Sequence, residues 1–284
     1  MNGILVVNKE KDYTSRDVVN IISKEFKTKK VGHTGTLDPI ATGVLVVTIG
    51  EATKISELLV STYKEYIAEV TLGIKTDTLD ITGNILETKE IKLDKSKLEQ
   101  TIKSFKKTYL QEVPIYSAVK VNGRKLYEYA RNKEEVKLPK KEVEIKEIEL
   151  LKYAGNKFTF RCLVSKGTYI RSLINDICNE LNIIGTMSSL KRTKQGEFKI
   201  EDSYTLEQIK NKKYKLLEMQ EVLKEYLQIE VNEYIENKIK NGCLLENRYD
   251  EDIIVFINKN QQVIGIYKKY EKDMNKIKPW KIFN

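Results

Sequence analysis

The sequence predicts an α+β protein: a large N-terminal unit mixing strands with amphipathic helices, then a small β unit. Three observations carry this. Short apolar, β-branched runs such as Gly3–Val7 and Gly43–Ile49 read as strands. The segments Glu142–Tyr153 and Lys157–Val164 flank Gly155-Asn156, and in the second of them Phe158, Phe160, Cys162 and Val164 alternate with Thr159, Arg161 and Leu163, which is a hairpin pattern. From Ile229 onward the chain shifts to short strands, Ile253–Ile257 and Val263–Tyr267, joined by Asn258–Gln262.

In chain order, Gly3–Val7 is a buried strand. Thr14-Ser-Arg-Asp17 is a capping box that opens a helix with Val18, Ile21, Ile22 and Phe26 on one face. Lys27 to Lys30 close it with the positive charge that the helix dipole favours. Gly32–Pro39 reads as a loop from its Gly and Pro content, and Gly43–Ile49 as a strand. Glu65–Gly73 is a strand whose apolar face holds Tyr66, Ala68, Val70 and Leu72, and Gly73–Gly83 is a loop rich in Thr, Asp and Gly. Asp94 starts a helix through Leu98, Ile102 and Phe105. Pro114–Lys137 mixes aromatic and basic residues. After the hairpin, Thr168 starts a helix that turns Ile170, Leu173, Ile174, Ile177 and Leu181 inward. Leu206–Leu227 is helical in composition.

The chain has 284 residues, enough to bury a core without disulfide staples. Its net charge of +9 favours a polyanionic partner. The excess is uneven: Ile229–Asn284 holds ten basic against nine acidic residues, so the first 228 residues carry +8. Cys162, Cys178 and Cys243 are widely spaced, which argues against a disulfide framework or a thiolate zinc site. The first apolar run is too short for a signal-peptide core, and no run approaches the roughly 20 residues of a membrane span. A cytoplasmic protein is expected.

Much chemistry is excluded by what is missing. His33 is the one histidine, so histidine-based nucleophilic catalysis would rest on that residue and a multi-histidine metal site is impossible. No phosphate-binding GxxxxGK[ST], dinucleotide GxGxxG or hydrolase GxSxG motif occurs. What remains is carboxylate, arginine and tyrosine chemistry. Asp38 stands out by context. Gly32 and Gly35 precede it and allow close backbone approach to a ligand. Pro39 follows it and forces Asp38 to be extended. An Asp-Pro pair is also an ordinary turn former.

The segment Gly32-His-Thr-Gly-Thr-Leu-Asp-Pro-Ile-Ala-Thr-Gly43, followed by Gly50-Glu-Ala-Thr-Lys54, resembles the signature of bacterial tRNA pseudouridine-55 synthases of the TruB type. Lys75-Thr-Asp-Thr78 with Asp80 and Gly83 is similar to that family's second motif, with Lys75 where Arg is usual. Pro114–Lys120 and Leu126–Arg131 resemble its RNA-gripping insertion, Ser165–Arg171 its arginine motif, and Leu190-Lys-Arg-Thr193 with Gly196 and Phe198 its last catalytic motif. The resemblance spans about residues 1–210. One departure lies at Lys9-Glu-Lys-Asp12, where the family has Lys-Pro-x-Gly.

The resemblance implies a pseudouridine-synthase catalytic domain on a mostly antiparallel mixed sheet over residues 1–225, with the insertion at about 114–141. It also implies a small β-barrel-like, PUA-like domain over 229–284. The implied activity is isomerisation of a T-loop uridine of tRNA to pseudouridine with neither cofactor nor metal. Asp38 aligns with the essential carboxylate, acting as nucleophile on sugar or base, or as the base that removes the ribose 2′-proton. Burial alone disfavours an ionised carboxylate, and Arg171 is the cation implied beside it. Arg171 falls in the first turn of its helix, where a cation opposes the dipole, and such a broken local rule hints at function. Tyr66 would stack on the target base, Tyr169 and Leu190 would line its pocket, and His33 would pack against the RNA and help to displace the uridine. Plausible phosphate contacts are Lys27, Lys29, Lys30, Lys120, Arg124, Lys125, Arg131, Lys191, Arg192 and Lys194. A monomer acting on the T-arm without guide RNA is expected. The rivals are a non-catalytic RNA-binding protein on the same scaffold and a guide-RNA-dependent relative.

Overall fold

A computed structural model describes residues 2–60 and 63–283. β1 (Gly3–Lys9) runs into a turn that ends at Asp12 and then into α1 (Ser15–Glu25). Thr14 and Asp17 form the expected reciprocal cap, and Val18, Val19 and Ile22 are buried. β2 (Val31–His33) and β3 (Thr42–Ile49) pair antiparallel, so the expected Gly32–Pro39 loop begins as a strand along an open edge of β3. After a 3₁₀ turn over Gly50–Ile55 comes β4 (Tyr63–Leu72), which buries Tyr66, Ala68, Val70 and Leu72 as their alternation requires.

The expected Gly73–Gly83 loop likewise contains a strand. β5 (Ile74–Thr76) finds a partner downstream in β6 (Ile85–Thr88), which a local reading could not see. α2 (Lys95–Ser104), capped by Asp94, is followed by β7 (Thr108–Glu112). The aromatic and basic stretch holds a small hairpin, β8 (Lys120–Val121) with β9 (Arg124–Lys125), and α3 (Leu126–Asn132). β10 (Lys140–Ala154) and β11 (Lys157–Ser165) form the expected hairpin. α4 (Ile170–Glu180), β12 (Gly185–Gln195) and β13 (Phe198–Lys199) complete the large sheet, with α4 packed on β12.

The strand path is β1-β3-β12-β4-β11-β10-β7, with β2 on β3 and β13 on β12. Every pairing is antiparallel except β3 with β12, so the expected mixed, mostly antiparallel sheet is what forms. That one parallel contact joins β3 to β12 and brings Arg192 opposite Gly43.

Leu206–Leu227 is not one helix. α5 (Leu206–Lys210) stops before Lys212, whose φ of 59° is left-handed, and α6 (Met219–Val222) is a single turn. Between them Leu217 exchanges two backbone hydrogen bonds of 2.9 Å with Ile4, so the edge of β1 outcompetes the helix. Beyond β14 (Leu227–Glu230) and α7 (Glu233–Lys240), the strands β15 (Leu245–Glu246), β16 (Ile253–Ile257), β17 (Val263–Lys269) and β18 (Lys276–Ile282) form a second sheet. Its order is β14-β16-β17-β18-β15. Val255, Ile257, Val263, Ile266 and Phe283 share one apolar cluster with Ile4, Val6, Val44 and Val46 of the large sheet and Ile55 of the 3₁₀ turn. No helix among the described residues is long and apolar enough to cross a membrane.

Candidate active site

The Asp38 loop is pinned along its whole length. Ser15, at the start of α1, accepts a hydrogen bond from the Leu37 N–H (2.9 Å) and donates to the Leu37 carbonyl (3.2 Å). Lys9 is fully buried, and its ammonium donates to the carbonyls of Glu10 (2.9 Å), Tyr13 (2.6 Å) and Pro39 (3.3 Å). The Pro39 carbonyl also accepts from Asp12 N–H at 2.9 Å. The Lys9–Asp12 departure therefore keeps a working turn: Asp12 takes φ 69°, the left-handed conformation that glycine adopts freely and Asp tolerates better than most residues. Burial pushes the Lys9 ammonium down to about 8, opposed by the charges of Asp12 and Asp38.

Arg171 meets Asp38 side-on. Nε lies 3.0 Å from Asp38 Oδ2 and Nη2 lies 3.3 Å from Oδ1. The arginine is 6% exposed and the carboxylate 34%, so one face of the pair is open. Nη1 donates to the Thr78 carbonyl (3.1 Å) and Nη2 to the Tyr116 carbonyl (3.0 Å). This gives the Lys75–Asp80 segment a structural reason. Asp80 accepts from the Thr78 hydroxyl (3.0 Å) and the Thr82 N–H (3.0 Å), which shapes a loop that aims the Thr78 carbonyl at Arg171. The start of α4 is tethered by Gln111, which accepts from Tyr169 N–H (2.8 Å) and donates to the Tyr109 hydroxyl (2.9 Å). Tyr109 in turn donates to Asp176, whose carboxyl burial pushes up.

Asp38, Tyr66, Tyr169, Arg171 and Leu190 all line one cavity of about 510 Å³. The structure thus brings together five of the residues singled out from the sequence. Tyr116 and Tyr127, from the aromatic and basic stretch, line it too. Burial raises the Tyr169 hydroxyl above its usual value. His33 is not among the lining residues. It sits on β2, where burial, then the charges of Arg16 and Arg192, hold its imidazole below its usual value.

Arg192 requires a correction. It was expected at the phosphate-facing surface, yet it is fully buried. Its Nε donates to the Val44 carbonyl (2.7 Å), its Nη2 to Gly35 (2.9 Å), and its Nη1 lies 3.5 Å from the Tyr66 hydroxyl. No phosphate reaches it; the residue ties the Asp38 loop to the sheet beside Tyr66. Gly43 permits this close approach, because at φ 100° a Cβ would stand 2.2 Å from the Arg192 carbonyl oxygen. Sequence inspection misses it because a K-R-T run looks like a solvated charge cluster. The other phosphate candidates are at least partly accessible. Lys120, Arg131 and Lys191 are exposed, Arg131 lies 5.2 Å over the Tyr127 ring, and Lys30 pairs with Glu51 at 2.8 Å.

Comparison with known proteins fits this geometry. Residues 23–170 match the TruB family pseudouridylate synthase N-terminal domain, and residues 171–230 the tRNA pseudouridylate synthase B C-terminal domain. The chain belongs to the TruB family of pseudouridylate synthases. It is 44% identical, over all of its length and 99% of the relative's, to tRNA pseudouridine synthase B of Caldanaerobacter subterraneus subsp. tengcongensis. It is 43% identical to the protein of that name from Staphylococcus aureus strain Newman, at the same coverage. In fold, it is similar to a chain of an H/ACA RNP bound to a substrate RNA containing 2′-deoxyuridine, with a TM-score of 0.71 at 23% identity. That match covers 99% of this chain and 85% of the other. A chain of a Cbf5-Nop10-Gar1 complex matches with the same TM-score at 24% identity, covering 99% of this chain and 84% of the other.

Membership of the TruB family makes the chain an isomerase. Among the described residues no cluster of three or more His, Cys, Asp or Glu side chains is placed to hold a metal ion. The supporting residues Lys9, Ser15 and Gln111 were not legible as site residues, because their partners lie far along the chain or are backbone carbonyls.

Proposed function

We propose that this chain is a tRNA pseudouridine synthase that isomerises uridine 55 of the T-loop, with Asp38 as its catalytic carboxylate. The observation that carries the reading is the Asp38–Arg171 pair, set at one wall of a cavity that also holds Tyr66, Tyr169 and Leu190. A purely binding protein has no use for a carboxylate caged by a buried arginine.

In this reading the uridine is flipped out of the T-loop into the cavity, at a cost of a few kcal/mol met by contacts elsewhere. The base stacks on Tyr66, since a tyrosine face suits any base. Leu190 and Tyr169 exclude water around it, and His33 supports the displaced RNA from outside. The N1–C1′ bond breaks, the base turns, the C5–C1′ bond forms, and C5 gives up a proton while N1 gains one, so the composition of the nucleotide is unchanged. Asp38 acts on the sugar or the base, or takes the ribose 2′-proton. Arg171 keeps it ionised and oriented in every one of these routes. Lys30, Lys120, Arg131 and Lys191 meet the RNA backbone. The proposal takes residues 1–225 as the catalytic unit, whose insertion at about 114–141 closes over the T-arm, and 229–284 as a PUA-like unit. In this reading the chain acts as a monomer, without guide RNA or cofactor.

The test is site-resolved pseudouridine mapping on unmodified tRNA transcripts incubated with the purified chain. Pseudouridine at position 55, and none when position 55 is cytidine, is the expected result. Modification at another uridine instead would overturn the assignment of the target.

A further inference from the structure

The cavity contains a cation, Lys64, that has no counter-ion among the described residues. Lys64 precedes Tyr66 by two residues on β4, so both side chains project from the same face of the strand. Lys64 lines the cavity alongside Asp38, Tyr66 and Leu190. Its neighbours across the sheet are Val164 on β11 and Gln195 on β12.

Its ammonium lies 3.3 Å from the point at which a side chain on Gly35 would begin. Gln195 Oε1 lies 3.3 Å and Arg192 Nη1 3.4 Å from that same point. Arg192 carries a like charge, and Gln195 Oε1 is buried with no donor facing it among the described residues. Among the described residues no carboxylate offsets the charge of Lys64. Burial and then the charge of Arg192 push its ammonium down to about 8.

The charges in the cavity do not balance. Its lining holds one acid, Asp38, and two cations, Arg171 and Lys64. Arg171 is committed to Asp38 at 3.0 Å, so the surplus positive charge is that of Lys64. A half-desolvated cation with no counter-ion lowers the stability of the empty protein and favours an anionic occupant. In a nucleotide the base and ribose are neutral, and the only anions are the phosphates. A lysine head is a compact point charge suited to such a group. The bare backbone of Gly35 leaves the room in which the ammonium moves.

We propose that Lys64 is a substrate-binding residue whose ammonium grips a phosphate directly flanking the flipped-out uridine. This rests on the reading above that a uridine enters this cavity. Lys64 thus differs from the exposed lysines around the rim, because it meets the phosphate only after the base has left its stack.

The test uses T-arm RNA hairpins in which the linkage on the 5′ or the 3′ side of the target uridine is a neutral methylphosphonate. Dissociation constants and single-turnover rates are measured for the wild type, Lys64→Met and Lys64→Arg. One neutral linkage should weaken wild-type binding about tenfold or more. Lys64→Met should weaken the natural hairpin by a similar factor and add nothing on that neutral linkage, and Lys64→Arg should recover most of the loss. Losses that multiply, or no effect of either linkage on wild type, would overturn the proposal. Should Lys64→Met fail to fold, the wild type and Lys64→Arg on the two neutral linkages still decide it. A wild type that binds the natural hairpin but never isomerises it would count against the function proposed above, while the linkage comparison reads binding alone.

Discussion

Arg171 holds Asp38 through two N–H···O contacts, 3.0 and 3.3 Å, and uses its other donors on the carbonyls of Thr78 and Tyr116. One guanidinium therefore fixes three chain segments around a single carboxylate. A lysine has neither the fork nor the number of donors in one plane. Arg171→Lys is expected to lower the single-turnover rate about a hundredfold, the scale of a misplacement of about 1 Å. Arg171→Met should also cost about 2–3 kcal/mol in chemical denaturation, less than for a fully buried pair because Asp38 keeps contact with water. A rate near wild type in Arg171→Lys would show that the fork is dispensable.

Arg192 separates architecture from RNA contact. Its buried guanidinium satisfies the Val44 and Gly35 carbonyls, and charged hydrogen bonds are worth about 1.5–3 kcal/mol each. Arg192→Met should depress the melting temperature and the rate while leaving the salt dependence of tRNA affinity unchanged. Lys191→Met, next to it but exposed, should keep its melting temperature and reduce the salt slope by about one. A lower salt slope in Arg192→Met would contradict the buried role.

The Asp38 loop was legible in the sequence, and its supports were not. Asp38 lies between glycines and a proline in a contiguous motif, and Tyr66 falls on an apolar strand face by simple alternation. Arg171 was marked by breaking the dipole rule at a helix start. Lys9, Gln111 and Arg192 gave no such sign, because their roles depend on backbone groups that folding brings near from elsewhere in the chain. β2 and β5 lie in segments whose composition predicts loops, because three residues form a strand only when an edge elsewhere in the chain accepts them. Leu206–Leu227 has helical composition, but the open edge of β1 takes Leu217.

Lys9 predicts a pH dependence of stability. Burial lowers its ammonium from 10.5 to about 8 in the folded protein. Between those values the unfolded chain holds more protons, so the contribution of Lys9 to stability rises with pH over that window. Below about pH 8 its burial penalty is present in full. Lys64 titrates in the same range and is untouched by substitution of Lys9. The stability difference between wild type and Lys9→Met, measured by urea unfolding from pH 7 to 10, should therefore move in favour of wild type as pH rises. Parallel curves would show that the ammonium is not desolvated.

Whether Asp38 performs the chemistry is decided by comparing two proteins on one RNA. An unmodified tRNA transcript is incubated with the wild type or with Asp38→Ala, and its pseudouridine is mapped and its binding measured. One modified T-loop uridine is expected with the wild type, and none with Asp38→Ala despite retained binding. Pseudouridine formed by Asp38→Ala would contradict it.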